Sequence, residues 1–287
     1  MKNSRSEFVS VRDRRYHIRL WGDDDAPTLF FLHGWGDVSA SFQFVVDALP
    51  GRWRIIAPDW RGFGLSQWNE SAYWFPDYIA DLDALLDIYS PGQAAHVVGH
   101  SMGGIVASLY AGIRPARIAR LASLEGFALW VSGPGETPAR FEKWLQQIRN
   151  NDSAFRRYPN CAEFAARLCR DNPRLQAERA SFIAEHSLLA TTGDFVFSAD
   201  PRHRWINPVL YPLEEAKACW RKITAPTLWL AGRESSVMRQ FADHPADYKE
   251  RLACFSNVRE LLIDDCGHNI HHDQPEILAR LLASFFS

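Results

Sequence analysis

The sequence predicts an α/β fold in which a mostly parallel eight-stranded sheet is covered by helices on both faces. Short apolar runs alternate along the chain with amphipathic stretches of helical periodicity, a pattern typical of parallel strands between helices. The run GHSMG at residues 99–103 fits a G-x-S-x-G turn between a strand and a helix. A long stretch of helical pattern then interrupts the alternation after the sixth predicted strand.

The composition is that of a globular protein without a nucleic-acid or membrane partner. Of the 287 residues, 47% are hydrophobic and 23% charged, with a net charge of −2 and no long basic run. No segment approaches the ~18 apolar residues of a membrane span. The first residues lack the apolar stretch of a signal peptide, and the five cysteines form no C-x-x-C pair. We therefore expect a cytoplasmic protein with reduced thiols and no zinc site.

The first predicted elements are a β-hairpin and a buried strand. Residues 8–12 and 16–21 form the hairpin, because apolar and polar side chains alternate in its second strand. Residues 28–32 are continuously apolar, as expected of a strand buried on both faces. A helix is expected over residues 39–49.

The middle of the chain repeats the strand–helix pattern on either side of the serine turn. A strand is predicted at residues 54–57 and an amphipathic helix at 77–89. Residues 94–98 form the apolar strand before the turn, residues 104–111 the helix after it, and residues 118–124 the sixth strand.

The pattern divides the chain into a core and an inserted cap. Residues 127–221 are helical in pattern, rich in aromatic residues and interrupted by prolines. Strand patterns return at residues 227–231 and 258–263, and a helix over 274–286 closes the chain. We therefore predict a core of residues 1–126 and 222–287 with a helical cap over 127–221, since insertions this long are usually functional.

Ser101 is the candidate nucleophile. A serine on such a turn has a strained backbone that projects its hydroxyl, and glycines at positions 99 and 103 allow strand and helix to approach closely. The first amides of the following helix point towards the serine and favour negative charge there.

His268 is the best of the ten histidines for the base. It follows the last strand, and the carboxyl ends of parallel strands face one crevice, so His268 and Ser101 should converge. His33 is expected to brace its loop, and His100 belongs to the turn itself. His271 and His272 lie close to His268 in sequence, but no carboxylate or cysteine partner is evident, so no metal site is expected.

At these residues the sequence resembles the α/β-hydrolase family. Four motifs occur in the family's order: HGWG at 33–36, DWRGFGLS at 59–66, GHSMG at 99–103 and GH at 267–268. The sequence is more narrowly similar to the serine hydrolase-like subgroup. That similarity rests on LEG at 124–126, GDFVF at 193–197 with DPR at 200–202, and HNIHHD at 268–273.

The resemblance implies several functional residues. The backbone amides of Trp35 and Met102 are expected to form an oxyanion hole. Asp59, Arg61 and Ser66 are expected to brace the loop beside the site. The substrate pocket is expected to include the following residues: His33, Gly34, His100 and Trp130. Haloalkane dehalogenases and epoxide hydrolases of this fold use an aspartate nucleophile, and Ser101 at that position argues against both activities.

Two residues compete for the role of catalytic acid. The commonest family position follows the seventh strand, where Ser235 occupies the usual aspartate position and Glu234 is shifted by one residue. The other position is the end of the sixth strand, where Glu125 stands. Glu125 is preferred, because it directly follows an apolar strand and precedes a glycine, and Glu234 remains the alternative.

Together these features predict a serine hydrolase that cleaves a carboxylic ester or lactone through an acyl-enzyme and needs no cofactor. The expected substrate is a small apolar or aromatic ester, and the protein is expected to be a monomer or homodimer. Carbon–carbon bond hydrolysis and perhydrolysis use the same three residues and are the alternative activities. A ligand-binding receptor on the same fold is the non-enzymatic alternative, although it would not need an intact Ser101 and His268.

Overall fold

A computed structural model describes residues 1–127, 133–151, 153–209 and 212–287. An eight-stranded sheet forms its centre, with strand order β1-β2-β4-β3-β5-β6-β10-β11. The strands of this sheet are β1 (Ser4–Val11), β2 (Arg14–Trp21), β3 (Thr28–Leu32), β4 (Arg54–Pro58), β5 (Ala95–His100), β6 (Ile118–Leu124), β10 (Thr227–Gly232) and β11 (Val258–Ile263). The first two strands are antiparallel to their neighbours, and the other pairs are parallel. The predicted fold class is confirmed.

Eleven α-helices are described. They are α1 (Gln43–Ala48), α2 (Phe75–Tyr89), α3 (Met102–Ile113), α4 (Thr137–Asn150), α5 (Cys161–Asp171), α6 (Ala177–Ser187), α7 (Leu213–Trp220), α8 (Ser236–Ala242), α9 (Pro245–Leu252), α10 (Ile270–Asp273) and α11 (Pro275–Phe286). The helix expected over 39–49 begins as a 3-10 turn, Ser39–Phe42, before α1. Within the described ranges, no helix has both the length and the apolarity that crossing a bilayer requires.

The parallel strands are buried on both faces, because successive side chains point to opposite sides of the sheet. In β3, Phe30 and Leu32 belong to the hydrophobic cluster shared with α2 and α3. Leu29 and Phe31 belong to the cluster on the other face, shared with α1 and α11. The continuous apolar pattern of this strand is therefore explained by two helical layers.

The inserted segment after β6 is mainly helical, as predicted, but it also holds a small sheet that the sequence pattern does not reveal. It contains helices α4, α5 and α6, but also a small antiparallel sheet with strand order β7-β9-β8. These strands are β7 (Arg157–Tyr158), β8 (Leu188–Ala190) and β9 (Phe195–Phe197). Strands of two or three residues are too short to show a period in the sequence, which is why the pattern did not predict them.

Helix α7 falls inside the range predicted for the cap but packs on the core helix α3. Gly112 of α3 allows this contact, since a Cβ added there would lie 2.0 Å from the carbonyl oxygen of Cys219 in α7. Ala216 and Trp220 of α7 are fully buried in the same cluster as α3. By its packing, α7 therefore belongs with the core.

A buried polar network holds the loop after β4. Asp59 accepts hydrogen bonds from the amides of Ser39 at 2.7 Å and Leu65 at 3.0 Å, and its carboxylate contacts His17 at 2.7 Å. Burial acts to raise the pKa of Asp59, but the hydrogen bond and charge of His17 outweigh burial and lower that pKa. Arg61 donates to Asp81 at 2.5 and 2.6 Å. These contacts match the bracing role expected of the loop.

The same loop contacts the cap through a stack of aromatic rings. The ring of His203, which follows β9, lies between Phe63 and Tyr73 at centroid distances of 3.9 and 3.7 Å. Burial lowers the pKa of His203 to about 3, so the ring is neutral and stacks as an aromatic group. The amide of Gly64 also donates to the carbonyl of Ser198 at 2.6 Å.

Because α3 and α7 pack closely at Gly112, replacement of this helical glycine by alanine should destabilise the protein. Gly112→Ala would gain about 1 kcal/mol of helix propensity, but the added methyl group meets a backbone carbonyl that cannot rotate away. We expect the clash to win and the free energy of unfolding to fall by about 1–3 kcal/mol in urea denaturation. Gly135→Ala is the control, because nothing lies within 4 Å of its added Cβ. Equal stability of the two variants would contradict close α3–α7 packing.

Candidate active site

Ser101 lies in the tight turn between β5 and α3, with a backbone φ of 48° and ψ of −115°. A positive φ is costly for a residue with a side chain, and such strain persists only where the surroundings enforce it. The amide of Ser101 donates to the carbonyl of Leu124 at 2.8 Å, which ties the turn to the end of β6.

The flanking glycines allow this turn because three backbone segments cross there. A Cβ at Gly99 would lie 2.5 Å from the carbonyl oxygen of Gly103. A Cβ at Gly103 would lie 2.2 Å from the carbonyl oxygen of Leu32, at the end of β3. Side chains at these positions would force β5, α3 and β3 apart and release the serine from its conformation.

Glu125 and His268 are brought together, although they are 143 positions apart in the chain. The Nδ1 atom of His268 lies 3.3 Å from Oε2 of Glu125, and the glutamate side chain is fully buried. The other carboxylate oxygen, Oε1, accepts a hydrogen bond from the amide of Gly232 at 2.6 Å. Glu125 has a φ of 61°, which turns the chain sharply as it leaves β6. The carboxylate is therefore held at one end by the sheet and presented to the histidine at the other.

Glu234, the alternative acid, is placed elsewhere. Its side chain is 46% exposed and forms an ion pair with Arg174. Its neighbour Ser235 accepts a hydrogen bond from the amide of Met238 and caps α8. The structure thus brings Glu125 to His268, whereas Glu234 faces the surface.

Ser101 and His268 line one cavity of about 310 Å³ between core and cap. Among the described residues, no hydrogen bond joins the Ser101 hydroxyl to His268. This contact often tightens only when substrate binds. Helices α5 and α6, the connection between them and strand β9 supply the apolar lining of the cavity: Phe164, Leu168, Leu175, Ile183 and Phe197.

The amides expected to form the oxyanion hole lie beside the serine. Trp35 lines the cavity. It follows Gly34, where an added Cβ would lie only 3.1 Å from Cβ of Ser101. Met102 is the first residue of α3, so its amide has no partner within the helix. Both residues therefore lie next to Ser101, and their role as an oxyanion hole stays a prediction.

The predicted pocket residues divide into three cases. His100 lines the cavity, but His33 and Gly34 are not part of its lining. His33 is fully buried, and both its ring nitrogens have backbone partners: Nε2 accepts a hydrogen bond from the amide of Trp60 at 2.9 Å, and Nδ1 donates to the Gly34 carbonyl at 2.7 Å. It therefore braces the loop instead of bordering the cavity. Trp130 lies outside the described residues.

A cluster of Asp37, His100 and His271 lies buried next to the serine, and the sequence pattern did not predict it. The Nε2 atom of His271 lies 3.1 Å from Oδ2 of Asp37, a residue 234 positions away. The Nε2 atom of His100 donates to the carbonyl of His268 at 2.9 Å. Burial, assisted by neighbouring histidines, lowers the pKa of His271 to about 3 and that of His100 well below its ordinary value. Both rings are therefore neutral near pH 7.

A family model described as alpha/beta hydrolase fold matches residues 27–275 of the chain. The "Serine hydrolase-like protein" of Danio rerio is 24% identical, and the match covers 99% of this chain and 89% of the relative. "Epoxide hydrolase 4" of Mus musculus is also 24% identical, with 97% of this chain and 78% of the relative covered.

Solved structures show the same fold. A structure titled "Thioesterase Domain From Curacin Biosynthetic Pathway" superposes with a TM-score of 0.86 at 22% identity, and the match covers 98% of this chain and 99% of that one. The family match spans both halves of the core and includes Ser101, Glu125 and His268. The chain therefore belongs to the alpha/beta hydrolase fold family, in which it is similar over nearly its whole length to serine hydrolase-like proteins.

Proposed function

We propose that this α/β-fold hydrolase cleaves a carboxylic ester or lactone through an acyl-enzyme formed on Ser101. The observation that carries the proposal is the contact between buried Glu125 and His268 beside the cavity that Ser101 lines. A nucleophile, a base and an acid that orients the base are the parts that acyl transfer requires.

In this mechanism, His268 accepts the Ser101 proton at Nε2 while the serine oxygen attacks the carbonyl carbon. Glu125 accepts the hydrogen bond from Nδ1 and stabilises the charged imidazole that forms. The amides of Trp35 and Met102 donate to the developing oxyanion. His268 then returns the proton to the leaving alcohol, and a water molecule activated by the same base hydrolyses the acyl-enzyme.

The cavity lining supports an apolar or aromatic acyl group. Apolar side chains from the cap form one wall, and the catalytic residues lie against the core on the other side. Burial of apolar surface in such a pocket favours binding by about 25 cal/mol per Å² removed from water.

The identity of the nucleophile separates this activity from that named for one relative. Epoxide hydrolases of this fold use an aspartate nucleophile, whereas this chain has Ser101 at that position. Carbon–carbon bond hydrolysis and perhydrolysis would use the same three residues. A comparison of p-nitrophenyl esters and lactones with a vinylogous diketone and with peracid formation therefore discriminates among these substrate classes.

The cellular setting is part of the same proposal. All five cysteines are free, and burial raises the pKa of the Cys266 thiol to about 12. Free thiols suit a reducing compartment, and we propose that the protein is cytoplasmic and is a monomer or homodimer.

Ser101 should be the residue labelled by a fluorophosphonate probe. We expect one adduct per chain in intact-mass spectra, its location at Ser101 by peptide mapping, and complete loss of esterase activity. Ser101→Ala should abolish labelling, whereas Ser181→Ala, an exposed serine on α6, should not. Labelling at a different serine, or active protein that resists the probe, would refute the acyl-enzyme.

Exchange of each candidate acid for its amide should separate Glu125 from Glu234. Glu125→Gln should lower kcat by orders of magnitude with folding intact, because the amide no longer stabilises the charged imidazole in the required tautomer. Glu234→Gln should cost less than about tenfold, or roughly 1.4 kcal/mol of barrier. Steady-state kinetics on p-nitrophenyl acetate checks both variants, and the reverse order would move the acid to the end of β10.

A larger side chain on the cap wall should shorten the preferred acyl chain. Leu168→Trp fills space inside the cavity. It should lower kcat/KM for octanoate relative to acetate esters by at least about tenfold, a typical effect of steric exclusion in an apolar pocket. Leu145→Trp is the matched control, since Leu145 is an exposed leucine on α4. If both variants keep the wild-type ratio, the acyl group lies elsewhere.

A further inference from the structure

The cluster of Asp37, His100 and His271 presents an arrangement that the proposed ester hydrolysis does not use. One potential ligand atom from each residue lies within 4.8 Å of the other two. His271 is fully buried, His100 is 3% exposed, and the Asp37 side chain is 12% exposed. The absence of a carboxylate near the histidines in sequence argued against a metal site, but the fold supplies one from the loop after β3.

Two nitrogens of this cluster have no protein partner among the described residues. Because the Nε2 of His100 donates to a carbonyl, its Nδ1 carries a lone pair, and that atom is buried without a hydrogen bond. In His271 the Nε2 lies against the Asp37 carboxylate, and Nδ1 is likewise buried without a partner. Buried polar atoms normally have partners, so the unpartnered lone pair on Nδ1 of His100, next to the His271 ring, calls for an explanation.

We propose that Asp37, His100 and His271 form a binding site for a divalent transition-metal cation such as Zn²⁺, Co²⁺ or Cu²⁺. Two imidazoles and one carboxylate are a donor set that these cations favour over Mg²⁺ or Ca²⁺. The cation binds between Nε2 of His271 and the Asp37 carboxylate, and the single proton of the neutral ring moves from Nε2 to Nδ1. Asp37 and His100 also line the cavity, which provides the entry path and room for a water ligand.

The surroundings already hold two of the ligands in place. The hydrogen bond from His100 to the His268 carbonyl is the kind of contact that fixes a metal-bound imidazole. Asp37 accepts from the amide of Val38 and from the Ser41 hydroxyl, both at 2.8 Å. Ligands about 2.0–2.1 Å from Zn²⁺ in a tetrahedron lie roughly 3.4 Å apart. His271 and Asp37 are already at 3.1 Å, and His100, which lies within 4.8 Å of both, approaches by at most about 1.4 Å.

Occupancy of this site should inhibit the hydrolase. His100 directly precedes Ser101, and its ring donates a hydrogen bond to the His268 carbonyl. A shift of this ring therefore displaces both residues. This second step rests on the proposed function, whereas cation binding does not. The two steps are therefore measured separately.

Binding is tested on the full-length, reduced protein by calorimetry with Zn²⁺ and by the visible spectrum of the Co²⁺ complex. We expect one ion per chain, and a loss of affinity of at least about tenfold in both Asp37→Asn and His271→Gln. His186→Gln is the matched control, because His186 lies on cap helix α6 and should bind as wild type does. Absence of stoichiometric binding, or equal binding by all variants, would overturn the site.

A second measurement needs no variant and so does not depend on folding of altered chains. Electron paramagnetic resonance of the Cu²⁺ complex of the wild-type protein should show coupling to two imidazole nitrogens, without the signature of a thiolate ligand. A sulfur ligand, or a different number of nitrogens, would place the ion elsewhere and refute the assignment.

Inhibition is then followed with p-nitrophenyl acetate. Activity should fall in step with Zn²⁺ occupancy and return on addition of EDTA. If the metal-free enzyme hydrolyses no ester, the proposed function fails while the binding measurements still decide the metal site. Full occupancy with unchanged hydrolysis would overturn the link between the cluster and His268.

Discussion

The close crossing of β3, β5 and α3 around Ser101 is the constraint on which the rest of the site depends. A serine with a φ of 48° stores strain of order 1–3 kcal/mol, and only packing from several sides can hold it. Gly99 and Gly103 provide that packing because their missing side chains let the backbones meet. The hydrogen bond from the serine amide to Leu124 then fixes the end of β6, so the next residue, Glu125, leaves the sheet at a defined place.

The parts of the candidate site that depend on short sequence motifs could be predicted. Ser101 and His268 follow from short motifs, and the bounds predicted for β6 and β11 are those observed, Ile118–Leu124 and Val258–Ile263. The choice between Glu125 and Glu234 could not be settled in this way, because both follow strands that end at the same edge of the sheet. What distinguishes them is side-chain direction, set by a positive φ at Glu125 and by the amide of Gly232.

Features that depend on distant pairing were beyond the sequence pattern. The contact of Asp37 with His271 spans 234 positions, and no motif around either residue in the sequence indicates the pairing. His33 was assigned to the pocket through its motif, but its two ring nitrogens are satisfied by backbone groups of the loops after β3 and β4. The strands of the cap form by pairing with one another, which periodicity over two or three residues cannot reveal.

The chain enters the cap immediately after Glu125, the proposed catalytic acid, which restricts how such a cap could be exchanged in a chimera. Phe127, two residues past Glu125, stacks on Trp229 of β10 with ring centroids 3.6 Å apart, and its carbonyl accepts from Arg251 at 2.7 Å. On the return side, α7 is docked on α3 through Gly112. If a foreign cap is joined after Phe127 and before α7, the contacts of Phe127 that support Glu125 are kept. If the junction is at Gly126, Phe127 is replaced together with the cap and those contacts are lost.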